Sequence, residues 1–188
     1  SAGELKPAHT VLVVGAGREQ LENALGDRAR TCLQEPQLGT GHAVQQAQDA
    51  LAGFSGDVLI LYGDVPFVRP ATMQSMLDRL HQPDAPAVVV LGFEPDDALQ
   101  YGRVIADADG RITKMVEYKD ASAEERACTL CNSGLMAARS EDLFDLLARV
   151  GNDNAQGEYY LVDIVNVANA DGRRSAVVTT DDPAEVVG

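Results

Sequence analysis

Positive charge is scarce in this chain: 15 Lys and Arg face 29 Asp and Glu, a net charge of −14. Such a surface repels a phosphate backbone and argues against general binding to nucleic acid or an anionic membrane. A phosphate-bearing small substrate would need a metal or locally placed cations. Long apolar runs are missing too. None approaches ~18 residues, and Ser1-Ala-Gly-Glu-Leu-Lys-Pro7 has no signal-peptide core, so a soluble, unexported, cytoplasmic protein is expected. Cysteine is limited to three residues, an odd set that suits a reducing compartment and offers no disulfide framework. Cys128-Thr-Leu-Cys131 is formally a C-x-x-C pair, but a structural zinc wants about four ligands and no second pair accompanies it. Two structural cysteines are the better account. His9, His42 and His81 are scattered without ligand spacing. With no repeat, low-complexity stretch or linker, residues 1–188 are expected to form one domain with a single sizeable core.

What is present alternates. Thr10-Val-Leu-Val-Val14, Val58-Leu-Ile-Leu61 and Ala87-Val-Val-Val-Leu91 are β-branched and nearly continuous, as in strands buried on both faces of a parallel sheet. Between them Ala43, Val44, Ala47, Ala50, Leu51 and Phe54 recur at helical spacing, and Pro70 opens a helix whose Met73, Met76, Leu77 and Leu80 share a face. Further on, Asp107-Ala-Asp-Gly110 predicts a tight turn between Gly102-Arg-Val-Ile-Ala-Asp107 and Arg111-Ile-Thr-Lys-Met-Val-Glu117. Ser140-Glu-Asp142 is expected to cap a helix, Gly157 to Ala170 to form another ended by Gly172, and Ser175–Thr179 a last strand. The fold class expected is α/β, a mixed and mainly parallel sheet with a β-hairpin excursion.

Several segments carry candidate chemistry. Gly15-Ala-Gly17 imitates a dinucleotide fingerprint but lacks its third glycine, so a plain strand-to-helix turn explains it better. Gln34-Glu-Pro-Gln-Leu-Gly-Thr-Gly-His42 places two glycines and a threonine where a helix begins. A flat ligand could approach the bare backbone and its N–H donors there, or Thr40 could simply be a helix cap. Asp64 closes the run Asp57-Val-Leu-Ile-Leu-Tyr62 at Tyr62-Gly-Asp-Val-Pro66, beyond the carboxyl end of a strand, where open α/β sheets bind ligands. It can serve as a hard-cation ligand or as a turn aspartate. Glu117 reads as a site carboxylate or a hairpin surface residue, and Asn132-Ser-Gly134 as a site or a turn.

Order changes these odds. Leu33–Ala43, Leu61–Pro66, Tyr101-Gly-Arg103, Val116-Glu-Tyr-Lys-Asp120, Asn132-Ser-Gly134 and Asn154-Ala-Gln-Gly-Glu-Tyr-Tyr160 together resemble the uridylyltransferase domain of bacterial N-acetylglucosamine-1-phosphate uridylyltransferases, from about Ala8 to Gly188. The resemblance implies a Rossmann-like nucleotidyltransferase fold that joins UTP and N-acetylglucosamine 1-phosphate into UDP-N-acetylglucosamine, releasing pyrophosphate with Mg2+. It implies that Gln34 and the Gly39-Thr40 backbone read uracil, and that Tyr62 and Gly63 line the nucleotide. Asp64 would be a direct Mg2+ ligand, while Gly102, Glu117 and Asn132 would hold the N-acetylglucosamine part.

Departures from the family pattern are equally specific. Its G-x-G-T-R-M loop and Pro-Lys pair, which hold phosphates, have no counterpart in these residues, nor has the Gly-Val-Asn whose Asn is a second metal ligand. Its C-terminal β-helix acetyltransferase domain, on which trimer formation largely relies, is not present either. Val162 stands where the family usually has Thr, and Ser133 replaces a Thr. The expectation is therefore an internal stretch holding the uracil and sugar half of a site, without catalytic residues of its own and with an open hydrophobic sheet edge. A non-catalytic sugar-nucleotide module, or a nucleotidyltransferase for another base or sugar such as a molybdopterin or cytidylyl enzyme, remain the competing readings.

Overall fold

A computed structural model describes residues 2–15, 18–98 and 100–186. After a short 3-10 turn, β1 (Val11–Val14), α1 (Arg18–Leu25) and β2 (Arg30–Leu33) form one βαβ step, with β1 and β2 paired in parallel. Gly17 of the glycine pair lies outside the described residues. Next come α2 (Thr40–Gln45), β3 (Asp57–Ile60), α3 (Pro70–Leu80) and β4 (Val88–Phe93). The hairpin β5 (Arg103–Ala106) and β6 (Ile112–Val116) leads through α4 (Ala123–Arg126) to β7 (Cys131–Arg139). The chain closes with α5 (Ser140–Leu147), α6 (Asp163–Ala170) and β8 (Ser175–Thr179).

The long strand β7 organises the main sheet. Along one edge it pairs antiparallel with β4, and β4 pairs in parallel with β8. Along its other edge two strands share the space: β3 covers Met136–Arg139, and β5 reaches only Cys131. Beyond the Asn132 amide, which donates to Gly102 O, residues 133–135 lack a ladder partner on that edge among the described residues, and a crevice opens there. Pairing directions correct the expected mainly parallel sheet. Strands β3, β4, β5 and β8 do point one way, but β7 is threaded among them. Only β1/β2 and β4/β8 are parallel ladders among the described residues. The sequence did not announce β7, because Asn132-Ser-Gly134 reads as a turn; it is instead an irregular stretch inside the strand. Opposite β4 residues 90 and 92 stand β7 residues 136 and 132. The Ser133 hydroxyl donates to the Leu91 carbonyl at 2.6 Å within this bulge.

The core lies on both faces of the sheet. Period-two alternation sends Val88, Val90, Met136 and Ala138 toward α5 and α6, and Val89, Leu91, Leu135 and Ala137 toward α3. Strand β4 is buried at every position, as its apolar run predicts. Strand β3 is only half-buried throughout, since β7 is its one ladder partner among the described residues.

Local expectations meet mixed outcomes. Gly110 takes a φ of 74° in the hairpin turn, where Asp107 Oδ1 accepts the Asp109 and Arg111 amides. Pro70 starts α3, which buries Met73, Met76 and Leu80. Gly172, at φ 72°, ends α6: its amide donates to Asn169 O at 3.0 Å and the Arg173 amide to Ala168 O at 2.9 Å. The helical spacing of 43–54 yields only α2, turns and a 3-10 turn at Asp49–Leu51. Residues 157–160 precede rather than begin α6, because Gly157 at φ 67° serves a loop clamp described below. Ser140 is not a cap: Arg139 holds that position, and the buried Ser140 hydroxyl donates to Phe54 O at 2.9 Å.

Candidate active site

The crevice beside β7 is a cleft of about 320 Å³. Thr40, Tyr62, Asp64, Gly102, Glu117 and Asn132 all line it, drawn from segments scattered across the chain. Gln34, Gly39 and Gly63 do not line it. Gln34 and Gly39 adjoin Thr40 at its margin, and an added Cβ at Gly63 would point into open space.

One wall rests on the ladder. Gly102 precedes β5, and its carbonyl accepts the Asn132 amide at 2.9 Å. A Cβ on Gly102 would lie 3.2 Å from Glu117 Oε2, so glycine leaves the carboxylate its place. Burial, aided by Asp163 and Asp120, pushes the Glu117 carboxyl above the usual carboxylate range. Asn132 is buried, and its Oδ1 accepts the Gly134 amide at 2.9 Å. That engages the oxygen internally and leaves the amide NH2 as the group offered to a ligand. The buried Arg103 guanidinium donates to the carbonyls of Tyr101, Ala98 and Arg126, fixing the strand start beside Gly102. Asp163 went unremarked in the sequence because it follows an apolar run. Burial and Asp120 raise its carboxyl too, against the hydrogen bond from Asn166.

The opposite wall is made of loops. The loop of Asn154–Tyr160 is knotted on Asn154, whose Oδ1 accepts the Gln156 and Glu158 amides and whose Nδ2 donates to Glu158 O. Its far end clamps the start of α2: Tyr159 N–H donates to Leu38 O at 2.8 Å and Gly41 N–H to Tyr159 O at 2.7 Å. Gly39 is the helix cap, at φ 113°, and a Cβ there would stand 2.6 Å from Tyr159 O. Thr40 therefore does not cap α2. Its Oγ1 accepts the Leu161 amide at 2.9 Å and shares a hydrogen bond with Tyr62. Gln34 Nε2 donates to Gly39 O at 2.9 Å and lies 3.1 Å from His42 Nδ1, so Gln34 braces this turn from behind.

Tyr62 joins the two walls. Its ring covers Gly134, where φ is 87° and a Cβ would come within 2.6 Å of the ring. Burial pushes its hydroxyl pKa up to about 12; the Thr40 hydrogen bond opposes this and the Glu117 and Asp64 carboxylates add to it. The tyrosine remains a neutral hydroxyl at physiological pH. Asp64, exposed beyond β3, has no hydrogen bond or ion pair among the described residues. Among the described residues, it and Glu117 are the only charged ones on the cleft lining, and both are negative. Among the described residues no group of three or more His, Cys, Asp or Glu could hold a metal unaided. One free carboxylate facing a cleft does fit Mg2+, which keeps several waters and is commonly bound through one or two carboxylates plus substrate phosphates.

The MobA-like NTP transferase domain family matches residues 1–157. The chain belongs to that family. It is 72% identical over 188 residues to the bifunctional protein GlmU of Novosphingobium aromaticivorans, covering all of this chain and 42% of that protein. To GlmU of Zymomonas mobilis it is 55% identical over 184 residues, covering 96% of this chain and 41% of that protein. The chain thus spans about two fifths of the length of these curated relatives. The resemblance carried by the ordered motifs accordingly extends over the whole chain. Among solved structures, a UDP-glucose pyrophosphorylase complexed with UDP-glucose superposes with a TM-score of 0.63 at 19% identity, covering 90% of this chain and 72% of that one. A nucleoside-diphosphate-sugar pyrophosphorylase from Vibrio cholerae gives 0.67 at 16%, covering 95% and 75%. The fold is the Rossmann-like nucleotidyltransferase fold. Among the described residues, no helix is long and apolar enough to cross a membrane.

Proposed function

We propose that this chain supplies the uracil and sugar half of a site that transfers a uridylyl group from UTP to N-acetylglucosamine 1-phosphate. The observation that carries the reading is the convergence of Thr40, Tyr62, Asp64, Gly102, Glu117 and Asn132 on one cleft whose charged lining is wholly acidic. Such a cleft accepts sugar hydroxyls readily and polyphosphate only with a counter-charge. In the reaction, a phosphate oxygen of the sugar phosphate attacks the α-phosphorus of UTP; the bond from that phosphorus to the bridging oxygen breaks and pyrophosphate leaves.

Each residue has a part that follows from its surroundings. Gln34 Oε1 carries no hydrogen bond among the described residues, so it can accept the uracil N3–H, a donor that cytosine lacks. Tyr62 presents a neutral hydroxyl and a ring beside the nucleotide. Glu117 accepts from sugar hydroxyls, and Asn132 donates through its free amide. Asp64 would hold Mg2+. When bound, that ion supplies charge neutralisation at the phosphates, the principal demand of a reaction between two polyanions. Val162, buried on the cleft lining, offers only an apolar contact where the family usually has a Thr hydroxyl.

The test uses the protein as its gene encodes it. Pyrophosphate release should require both UTP and N-acetylglucosamine 1-phosphate, and UTP should exceed CTP by at least about tenfold in kcat/KM, consistent with one or two lost hydrogen bonds. Equal use of CTP would overturn the uridylyl assignment. Release without the sugar phosphate would overturn the transfer.

A further inference from the structure

Asp64 sits on a loop that has little structure of its own. Between β3 and α3, residues 62–69 form one backbone hydrogen bond among themselves, Val65 N–H to Tyr62 O at 3.3 Å, and Phe67 is 72% exposed. Tyr62 anchors the start of this loop by covering Gly134. Its other end is anchored by a residue far away in sequence. Glu185 is 3% exposed, unusual for a carboxylate, and every donor around it belongs to the loop end, α3 or the exit of β8. Oε2 accepts the Arg69 amide at 3.1 Å and the Thr72 hydroxyl at 2.7 Å; Oε1 accepts the Thr180 hydroxyl at 3.2 Å and the Arg69 guanidinium. Burial alone would raise this carboxyl, yet the hydrogen bonds from Arg69, Thr72 and Thr180 outweigh it and hold it ionised. The next residue, Val186, is 2% exposed and lines the cleft together with Val65, the neighbour of Asp64.

We propose that Glu185 is a positioning residue for the Asp64 carboxylate. Through Arg69 it pins the loop's far end, and through Val186 it seats the Val65 side of the loop in the cleft wall. The inference rests on the reading of Asp64 as the metal-holding residue and adds a distinct requirement to it. A carboxamide at 185 keeps the shape but sets an NH2 against one of the two Arg69 donors and removes the charge, so the loop end loses one of its two acceptors while the β5–β7 wall stays intact.

Mn2+·UTP serves as the probe, with its dissociation constant from the full-length protein read by enhanced water-proton relaxation. Glu185→Gln should weaken Mn2+·UTP by roughly tenfold, as for outer partners of metal ligands. The KM for N-acetylglucosamine 1-phosphate should stay within about twofold, because Gly102, Glu117 and Asn132 stand on separate elements. Thr72→Val removes one donor of the same cluster and should shift Mn2+·UTP affinity in the same direction by less, and it carries the test if the Glu185 variant does not fold. Wild-type Mn2+·UTP affinity in either folded variant, or equal losses for both substrates, would overturn the inference. Asp64→Asn separates the two layers. If it weakens Mn2+·UTP while Glu185→Gln does not, the positioning role fails alone; if it has no effect, the metal reading fails as well.

Discussion

The two walls of the cleft are built to different standards. The first wall uses Gly102, Asn132 and Glu117, two of them buried and all attached to β5, β6 or β7. The second wall uses Thr40 at the start of α2 and Asp64 on a loop, with Gln34, Gly39 and Gly63 beside them off the lining, and Thr40, Gly63 and Asp64 are exposed. Among the described residues, the exposed large apolar side chains Leu33, Leu38, Leu61 and Phe67 belong to this second region as well. Ladder hydrogen bonds and core packing hold the first wall, so its geometry precedes any ligand. The second depends on a few distant ties: Tyr159 on Leu38 and Gly41, Tyr62 on Gly134, and Glu185 on Arg69. On the proposed assignment, a compact sugar would suit the rigid wall, whereas a triphosphate and its counter-ion would suit loops that settle as charge is neutralised.

Breaking the second wall at its charge should have the largest effect. Asp64→Asn in the full-length protein should keep the thermal midpoint yet lower turnover by about two to three orders of magnitude, the scale for losing preorganised charge stabilisation. Mg2+-dependent rates near those of the unmutated enzyme would contradict it. Next comes the joint between the walls. Gly134→Ala meets both a φ of 87° and the Tyr62 ring at 2.6 Å, and should cost about 1–3 kcal/mol in chemical denaturation, with weaker UTP binding.

The first wall should respond differently. Glu117→Gln should raise the KM for the sugar phosphate by roughly tenfold while leaving UTP nearly unchanged, about the loss of one charge-assisted hydrogen bond. The same substitution should stabilise the fold at neutral pH. A carboxyl whose folded pKa is raised favours folding when protonated, and that contribution disappears as pH rises through the folded value. Glu117→Gln therefore should raise the thermal midpoint by a few degrees near pH 7, and the gain should vanish below the ordinary carboxylate range. Asp163→Asn should show the same pH trend in thermal melts. Smallest is Gln34→Ala, expected to narrow the UTP-over-CTP preference by about threefold to tenfold without altering the KM for the sugar phosphate.

Much of this contrast was legible in residues, and the failures have a common cause. Strand β4 and helix α3 follow from apolar periodicity, and the turns at Gly110 and Gly172 from the need for positive φ, since each depends on neighbours in sequence. The central strand β7 was hidden: Asn132, Ser133 and Gly134 have poor strand propensity, and only their partners on β4 and the Tyr62 ring make that conformation favourable. The extended helix expected from Gly157 failed likewise, because the loop's hydrogen bonds go to Leu38 and Gly41, more than a hundred residues earlier.

By itself the sequence determined the acidic charge, the α/β alternation, the ordered motifs and hence the family, all properties carried by local composition and order. Only the tertiary structure decided that β3 and β5 share one edge of β7 and leave between them the gap that opens the cleft. It also decided that Asn132 spends its oxygen on Gly134, and that Glu185 holds the loop of Asp64. These depend on strand threading and on hydrogen bonds between segments far apart in the chain, and no local propensity encodes which distant donor will meet a given acceptor.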